Sequence, residues 1–460
     1  MTTQRTLLLP TSVPVVVVGA GYAGLSAALE LADAGTACLV VESADRVGGR
    51  AFTEQRDTVI DHGGQWVGPT QHHLLALAER FGCPTFHTHE TGWHLERWSD
   101  GTLARYTGAA PDEAAGIAEY WQVARRLDEL AATIDVEDPT SSPHLEEWDS
   151  VTVRSWFDRT VISPDARRRL DLAVQGVWST EARDISVFHL LFYIASAGSF
   201  EQLMETDGCA QERRFHRGAQ SPALAVAEQL GDAVRTRVTV LAVEQDDNGV
   251  EVHTDAGTVR AQRVIVATPP PATARIRFGP PLPVDRARWI QRSTMGDVAK
   301  VHVVYEAPFW RAEGLSGVAT LYGEGSVGVV FDNSPDDASI GVLVAFIYGD
   351  RLRSWSALDR EARRQHVLET LTRLYGDRAG APRDYVEKNW PEDAYARGGY
   401  AANPAPGAWA EHGARGWRRP VGRIHWAGSE TASRWYGYID GAISSGKRAA
   451  REVLDEEVPS

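Results

Sequence analysis

The spacing of apolar residues changes period several times along the chain, and each change predicts an element. An unbroken apolar run at 15–18 predicts a buried strand, and 23–34 then repeats its apolar residues at helical spacing until Gly35. A second apolar run ends at Glu42, so the stretch reads strand, turn, helix, strand. Helical spacing returns at 74–81, closed by Gly82, and again at 113–134, 163–178, 187–197, 221–230, 360–375 and 440–454. Branched or alternating runs predict strands at 237–243, 250–254, 258–261, 264–267, 300–305, 327–331, 340–348 and 423–428. Turn residues at 99–102 and 246–249 predict hairpins, and Pro139 to Pro143 breaks the helical middle of the chain. The strands around 237–267 return the chain to its first sheet, whereas 300–348 predicts a second, antiparallel sheet.

The first turn carries chemistry. Gly19, Gly21 and Gly24 lie between a buried strand and a helix start, where a backbone can approach a pyrophosphate. Unpaired N–H groups and the positive end of the helix dipole face such an anion. Glu42, at the end of the next strand, stands where a carboxylate can hold ribose hydroxyls. Two double glycines follow, Gly48-Gly49 and Gly63-Gly64, and such pairs mark sharp turns or close approach to something flat or anionic.

Composition narrows the function without naming it. A chain of 460 residues, 43% hydrophobic and 24% charged, is expected to fold as two or three packed units. Its formal net charge of −15 argues against nucleic acid and anionic membrane as partners and gives cationic substrates a weak long-range attraction. Cys38, Cys83 and Cys209 are too widely spaced for a zinc cluster or a disulfide framework, so no metal and a cytoplasmic setting are expected. The opening residues 1–14 have only three leucines before Pro10, which is no signal peptide, and no window is long and apolar enough for a membrane helix.

GAGYAGLSAA with Glu42, then RVGGR, then GGQWVGPTQ, resembles the amino-terminal part of the flavin-dependent monoamine oxidases. The likeness continues through Gln211-Glu212-Arg213-Arg214-Phe215 (the family's QERKF), Pro308-Phe309-Trp310 and Lys388-Asn389-Trp390, and ends in AGSETASRWYGYIDGAISSGKRAA. It implies a fold of mixed α/β and α+β class. A Rossmann-like FAD-binding domain would comprise 13–85, 216–289 and 393–455, and a mixed-sheet plus helical substrate domain 86–215 and 290–392. Site roles follow from the same likeness. Glu42 takes the adenosine ribose, Arg50 the pyrophosphate, and Val240 the adenine through its backbone. Gly63, Gly64 and Gln65 lie along the isoalloxazine; Gly428, Ser429 and Glu430 line the ribityl and phosphate end; Tyr438 and Ile439 sit at the pyrimidine edge. Lys300, which as a lone residue in an alternating strand reads as an edge lysine facing solvent, is implied to hold a water against flavin N5. Trp390 packs beside it, and Gln211 lines the substrate cavity.

Two departures stand out. Where family members carry Gly-Gly-Cys-Tyr with a flavin-linked thiol, this chain reads Gly398-Gly399-Tyr400-Ala401, so FAD is expected to be noncovalent. Tyr438 matches one tyrosine of the family's aromatic cage, but Ala401 stands at the other, and Tyr400 compensates only if the backbone differs there. The implied reaction is oxidation of an amine C–N bond to the imine by hydride transfer to flavin N5, with hydrolysis to aldehyde or ketone and reoxidation by O2 to H2O2. Three other readings stay open: a diamine or polyamine oxidase using Glu205 or Asp207, an amine dehydrogenase with another acceptor, and a flavin-binding protein without turnover. The arginine-containing turn of the L-amino acid oxidases is absent, its place reading Gln65-Trp66-Val67-Gly68. A homodimer is the family-based expectation.

Overall fold

A computed structural model describes residues 9–111, 114–323 and 325–457. Most of the 1–14 segment weighed as a leader, the first residue of the 113–134 helix and the last three residues lie outside the described residues. Packing separates two units. One comprises Met1–Arg50, Pro222–Thr294 and Glu411–Ser460; the other comprises Ala51–Ser221 and Met295–Ala410.

In the first unit the buried run forms the strand Ser12–Val18, flanked in parallel by Cys38–Glu42 and by Gly257–Val266, with Val234–Thr236 beyond Cys38–Glu42. Gly257–Val266 is one strand where two were expected. Its second half pairs in parallel with Ile424–Trp426, and its first half turns back on Val250–Thr254, which pairs with Val240–Gln245. The expected strand 237–243 is broken. Arg237 adopts a left-handed φ of 59°, and the N–H groups of Arg237 and Val238 bond the carbonyls of Ala44 and Glu42. Helix Tyr22–Asp33 follows the glycine turn, and Ile439–Glu457 packs on it so closely that a Cβ on Gly446 would fall 2.1 Å from the Ala23 carbonyl oxygen.

The second unit is built on a seven-stranded sheet. In order it runs Asp384–Asn389, Val298–Tyr305, Gly341–Tyr348, Val329–Asp332, Leu315–Leu321, Trp93–Arg97 and Leu103–Tyr106. It is antiparallel except where Leu315–Leu321 runs parallel to Trp93–Arg97. Every residue of Val298–Tyr305 and of Gly341–Tyr348 is buried, so both faces of the sheet centre are covered, and the solvent-facing reading of Lys300 is excluded. Helices Ile117–Ala131, Pro164–Trp178 and Val187–Ala197 belong to this unit. The last two start where Ser163 and Ser186 accept the N–H groups of Ala166 and His189.

Packing divides the chain at different points from the sequence reading, because 51–85 and 393–410 lie in the second unit. The hairpin of Thr53–Gln55 and Val59–Asp61 is tied to Ala219 and Gln220, and Trp66–Val67 and Thr85–His87 both pair with Arg213–Phe215. Among the described residues, no helix is long and apolar enough to cross a membrane.

Candidate functional site

Two groups of the expected site residues can be followed, one in each unit. In the first unit the chain leaves Ser12–Val18 through Gly19, at a φ of 101° that favours glycine. A Cβ on Gly24 would lie 1.9 Å from the Gly19 carbonyl oxygen, so the helix can begin this close to the strand only with glycine there. Gly21 caps helix Tyr22–Asp33 with no side-chain bond, and the first turn holds no acidic residue. No acidic side chain of the helix itself offsets its positive end, which suits a pyrophosphate. Gly48 bridges to Gly21 and donates to the Ala20 carbonyl at 2.8 Å, bringing the first double glycine to the same turn. Glu42 accepts the N–H groups of Ala20 and Ala44, both at 2.8 Å, which fixes its carboxylate at the strand end.

Arg50 and Glu430 meet in this unit. Arg50 Nη1 and Nη2 donate to Glu430 Oε1 and Oε2 at 2.5 and 3.0 Å, a two-pronged charge-assisted pair, and Nη2 also reaches Ser429 Oγ at 3.3 Å. Trp417 Nε1 donates to the Glu430 carbonyl, and Gly428 N to Ser445 Oγ. Gly437 N bonds the Ser429 carbonyl, which sets Tyr438 and Ile439 at the start of the closing helix, with Tyr438 edge-on to Trp435. Val240 belongs to this unit as well, paired with Thr254.

The second unit gathers Lys300, Trp390, Gly63 and Gln65. Lys300 Nζ donates to the carbonyls of Asp61 and Gly63 at 2.7 and 2.8 Å and to Gln65 Oε1 at 2.5 Å. Its ammonium also lies 5.3 Å from the Phe346 ring centre and 5.7 Å from that of Trp66. Only 1% of Lys300 is exposed, and this burial lowers its pKa to about 7 against the opposing pull of Asp61. Asp61 is pushed up by burial while accepting from Thr53 Oγ1 and the Ala219 N–H. Trp390 Nε1 donates to the His62 carbonyl at 2.8 Å, so Trp390 and Lys300 are both anchored on the backbone of the 61–63 turn. Gly64 follows in that turn without a side chain of its own.

Tyr400 packs on the apolar cluster of Val298, Val344, Phe346, Tyr348 and Trp390, its hydroxyl 3.4 Å from that of Tyr348. Ala401 is buried, and its carbonyl accepts the Gly296 N–H. Gln211 donates through Nε2 to the Leu203 carbonyl and receives Thr88 Oγ1 on its own carbonyl. Sequence reasoning passed over Asn333 and Arg214, which continue the polar network beyond Gln65, and His302, which is buried on the Lys300 strand. The signal available for His302 was an ionisable residue inside a largely apolar strand, and for Arg214 its place in the Gln211–Phe215 motif; nothing marked Asn333.

The glycine turn and helix start of the first unit suit a dinucleotide's pyrophosphate, and the second unit, taken by itself, offers a buried amine on a carbonyl-lined turn. The model of the flavin containing amine oxidoreductase family matches residues 22–454. A Mycobacterium tuberculosis chain named as a flavin-containing monoamine oxidase is 38% identical over 447 residues, 96% of this chain and 97% of that one. The solved structure of putrescine oxidase with putrescine bound superposes with a TM-score of 0.93 at 35% identity, covering 96% of this chain and 99% of that one. Cyclohexylamine oxidase from Brevibacterium oxydans gives a TM-score of 0.93 at 30% identity, covering 97% and 99%.

Proposed function

The chain belongs to the flavin-containing amine oxidoreductases, enzymes that use FAD to oxidise amines, and from that premise we propose how its own residues divide the work. Gly19, Gly21, Gly24, Glu42, Arg50, Val240, Gly428, Ser429 and Glu430 hold the dinucleotide, and Gly63, Gly64, Gln65, Tyr438 and Ile439 serve its ring. FAD supplies the two-electron oxidation of the amine C–N bond to an imine and passes the electrons to O2, giving H2O2.

The observation that carries the residue roles is the Lys300 amine, buried among three oxygen acceptors on the turn that also anchors Trp390. A desolvated ammonium stabilises negative charge that develops as O2 is reduced. No protein base is needed at the amine, because a substrate that arrives deprotonated loses its α-hydrogen directly. Trp390, anchored on the His62 carbonyl, orients it and excludes water, and Tyr438 carries the aromatic role that the family likeness implies for it. Tyr400, which packs on the Trp390 cluster, supplies the aromatic wall that Ala401 cannot, and Gln211 lines the cavity.

A second reading has its own observation. Glu205 is raised to about 7 by burial and by the neighbouring carboxylates of Glu90 and Glu201, and Glu90 is raised by its own burial. An acidic pair of this kind would receive the distal ammonium of a diamine.

Purified protein is expected to be yellow and to release its FAD on acid precipitation, since no thiol lies in 398–401; flavin left in the pellet would refute noncovalent binding. A peroxide-coupled screen of aryl-alkyl amines, cyclic amines, diamines and amino acids is expected to give turnover with a monoamine. Preference for diamines, abolished by Glu205→Gln, would select the second reading. Bleaching of the flavin without peroxide would make the enzyme a dehydrogenase, and no bleaching with any class would end the catalytic reading. Cytoplasmic location and a homodimer belong to the same proposal, tested by cell fractionation and by sedimentation.

A further inference from the structure

Lys300 as an ammonium has three protons to donate, and three oxygens receive them. Two are main-chain carbonyls, which can only accept. The third is the Gln65 amide, whose two ends are alike in shape and opposite in hydrogen-bond sense. Its sense is set one residue further on. Gln65 Nε2 donates to Asn333 Oδ1 at 2.8 Å, and Arg214 Nη1 donates to the same oxygen at 2.7 Å. Arg214 also holds the main-chain carbonyls of Asn333, at 2.9 Å, and Ser334.

A guanidinium has five donors and no acceptor. Asn333 must therefore turn Oδ1 toward Arg214, and that oxygen can take only a donor from Gln65, so Gln65 presents Oε1 to Lys300. Reversing one amide would set donor against donor, or acceptor against acceptor, at the next contact. Gln65, Arg214, Asn333 and Lys300 are all buried, so water does not rescue a reversed pair.

We propose that Arg214, acting through Asn333, is a positioning residue that locks the Gln65 amide with its oxygen toward Lys300 and so holds Lys300 as a donor on all three sides. The proposal rests on the reading that Lys300 serves the flavin. A neutral amine would need to accept one hydrogen bond, and Gln65, the one neighbour able to turn and supply it, is prevented from turning. The lock thus favours the ammonium and works against burial. Among the described residues, the other charged or ionisable groups near Lys300 are Asp61, which favours the ammonium, Arg214 itself, whose charge disfavours it, His62 and His302, whose pKa values burial lowers, and the cross-strand Lys388, which is paired with Asp393.

The test exploits the scarcity of lysine: Lys300, Lys388 and Lys447 are the only three. FAD-loaded enzyme labelled with 13Cε-lysine gives three resonances, and Lys388→Arg and Lys447→Arg identify which is Lys300. Asn333→Leu keeps the Arg214 charge and cuts the lock, so the Lys300 midpoint is expected to fall by about one pH unit. Arg214→Met sets two effects against each other: loss of charge alone raises the midpoint, whereas release of Gln65 lowers it, and the proposal expects a fall. Arg214→Lys, still a donor only, is expected to restore it. Asn333→Asp keeps an acceptor before both donors and is expected to hold or raise the midpoint. An unchanged or raised midpoint in Asn333→Leu, or a fall in Asn333→Asp, overturns the proposal. If Lys300→Met leaves the reaction with O2 unchanged, the flavin role of Lys300 fails while the NMR result on the lock still stands.

Discussion

Arg50 and Lys300 are both immobile cations, but the chain immobilises them differently. Arg50, with 23% of its side chain exposed, keeps a carboxylate partner of its own in Glu430. Lys300, with 1% exposed, makes its hydrogen bonds to uncharged oxygens. A guanidinium paired with a carboxylate remains charged at any pH the protein meets, so it suits holding an anion. An ammonium surrounded by neutral acceptors is costly to bury, and the cost appears as a depressed pKa that brings it within range of physiological titration. One cation is built for permanence and the other for change.

The sharpest way to break the contrast is at the backbone beneath it. Gly24→Val places side-chain atoms against the Gly19 carbonyl, and FAD affinity is expected to fall at least about 100-fold, read from flavin content after dialysis. Lys300→Met is expected to slow the reaction with O2 about 100-fold in stopped flow while FAD affinity changes less than about threefold. Equal losses in both would show that Lys300 is only a cofactor ligand. Glu430→Gln removes the carboxylate that holds Arg50 and is expected to weaken FAD binding about tenfold without slowing the O2 reaction of the loaded enzyme. Trp390→Phe loses one hydrogen bond to the His62 carbonyl while keeping a ring, and turnover is expected to drop about threefold to fivefold.

Titration sharpens the same comparison. Burial lowers the Lys300 pKa well below its ordinary 10.5, so the O2 reaction is expected to slow as pH rises through the lowered value, while amine oxidation speeds up as substrates lose their protons. Stability carries a matching sign. The folded-state pKa of Lys300 is lowered from 10.5 to about 7, so between those values the unfolded chain binds a proton that the folded chain lacks. The Lys300 contribution to stability therefore rises with pH across that window, and Lys300→Met should remove that slope from pH-dependent denaturation curves.

What could be read in the sequence follows from how locally each feature is determined. Helices Val187–Ala197, Ser221–Leu230 and Arg360–Tyr375 end where their patterns end; Ser186 and Asp359 cap two of them, and caps are local chemistry. The glycine turn was legible for the same reason. Strand Leu315–Leu321 was missed because Ser316 and Gly317 interrupt its apolar pattern, where its register with Trp93–Arg97 also shifts. The break at Arg237 depends on carbonyls left by the Glu42 segment, which no window around 237 contains. Short helices Leu145–Asp149 and Val153–Thr160 are below the length at which periodicity is readable. Lys300, Gly63 and Gln65 could be singled out through the family likeness, but the residues that hold Gln65 could not, because Asn333 and Arg214 acquire meaning only when distant strands bring them to Gln65.

The backbone contact between Gly446 and Ala23 also bears on synthesis. The first helix of the nucleotide unit is covered by Ile439–Glu457, and the central strand Gly257–Val266 is flanked by Ile424–Trp426. The other unit closes within 51–410, whereas the unit with the glycine turn is assembled from segments on both sides of it and needs Ile439–Glu457. Residues 22–33 are thus covered only once residues 439–457 have been made. A chain without residues 439–457 would leave the helix that follows the glycine turn uncovered, although every residue of that turn had been made.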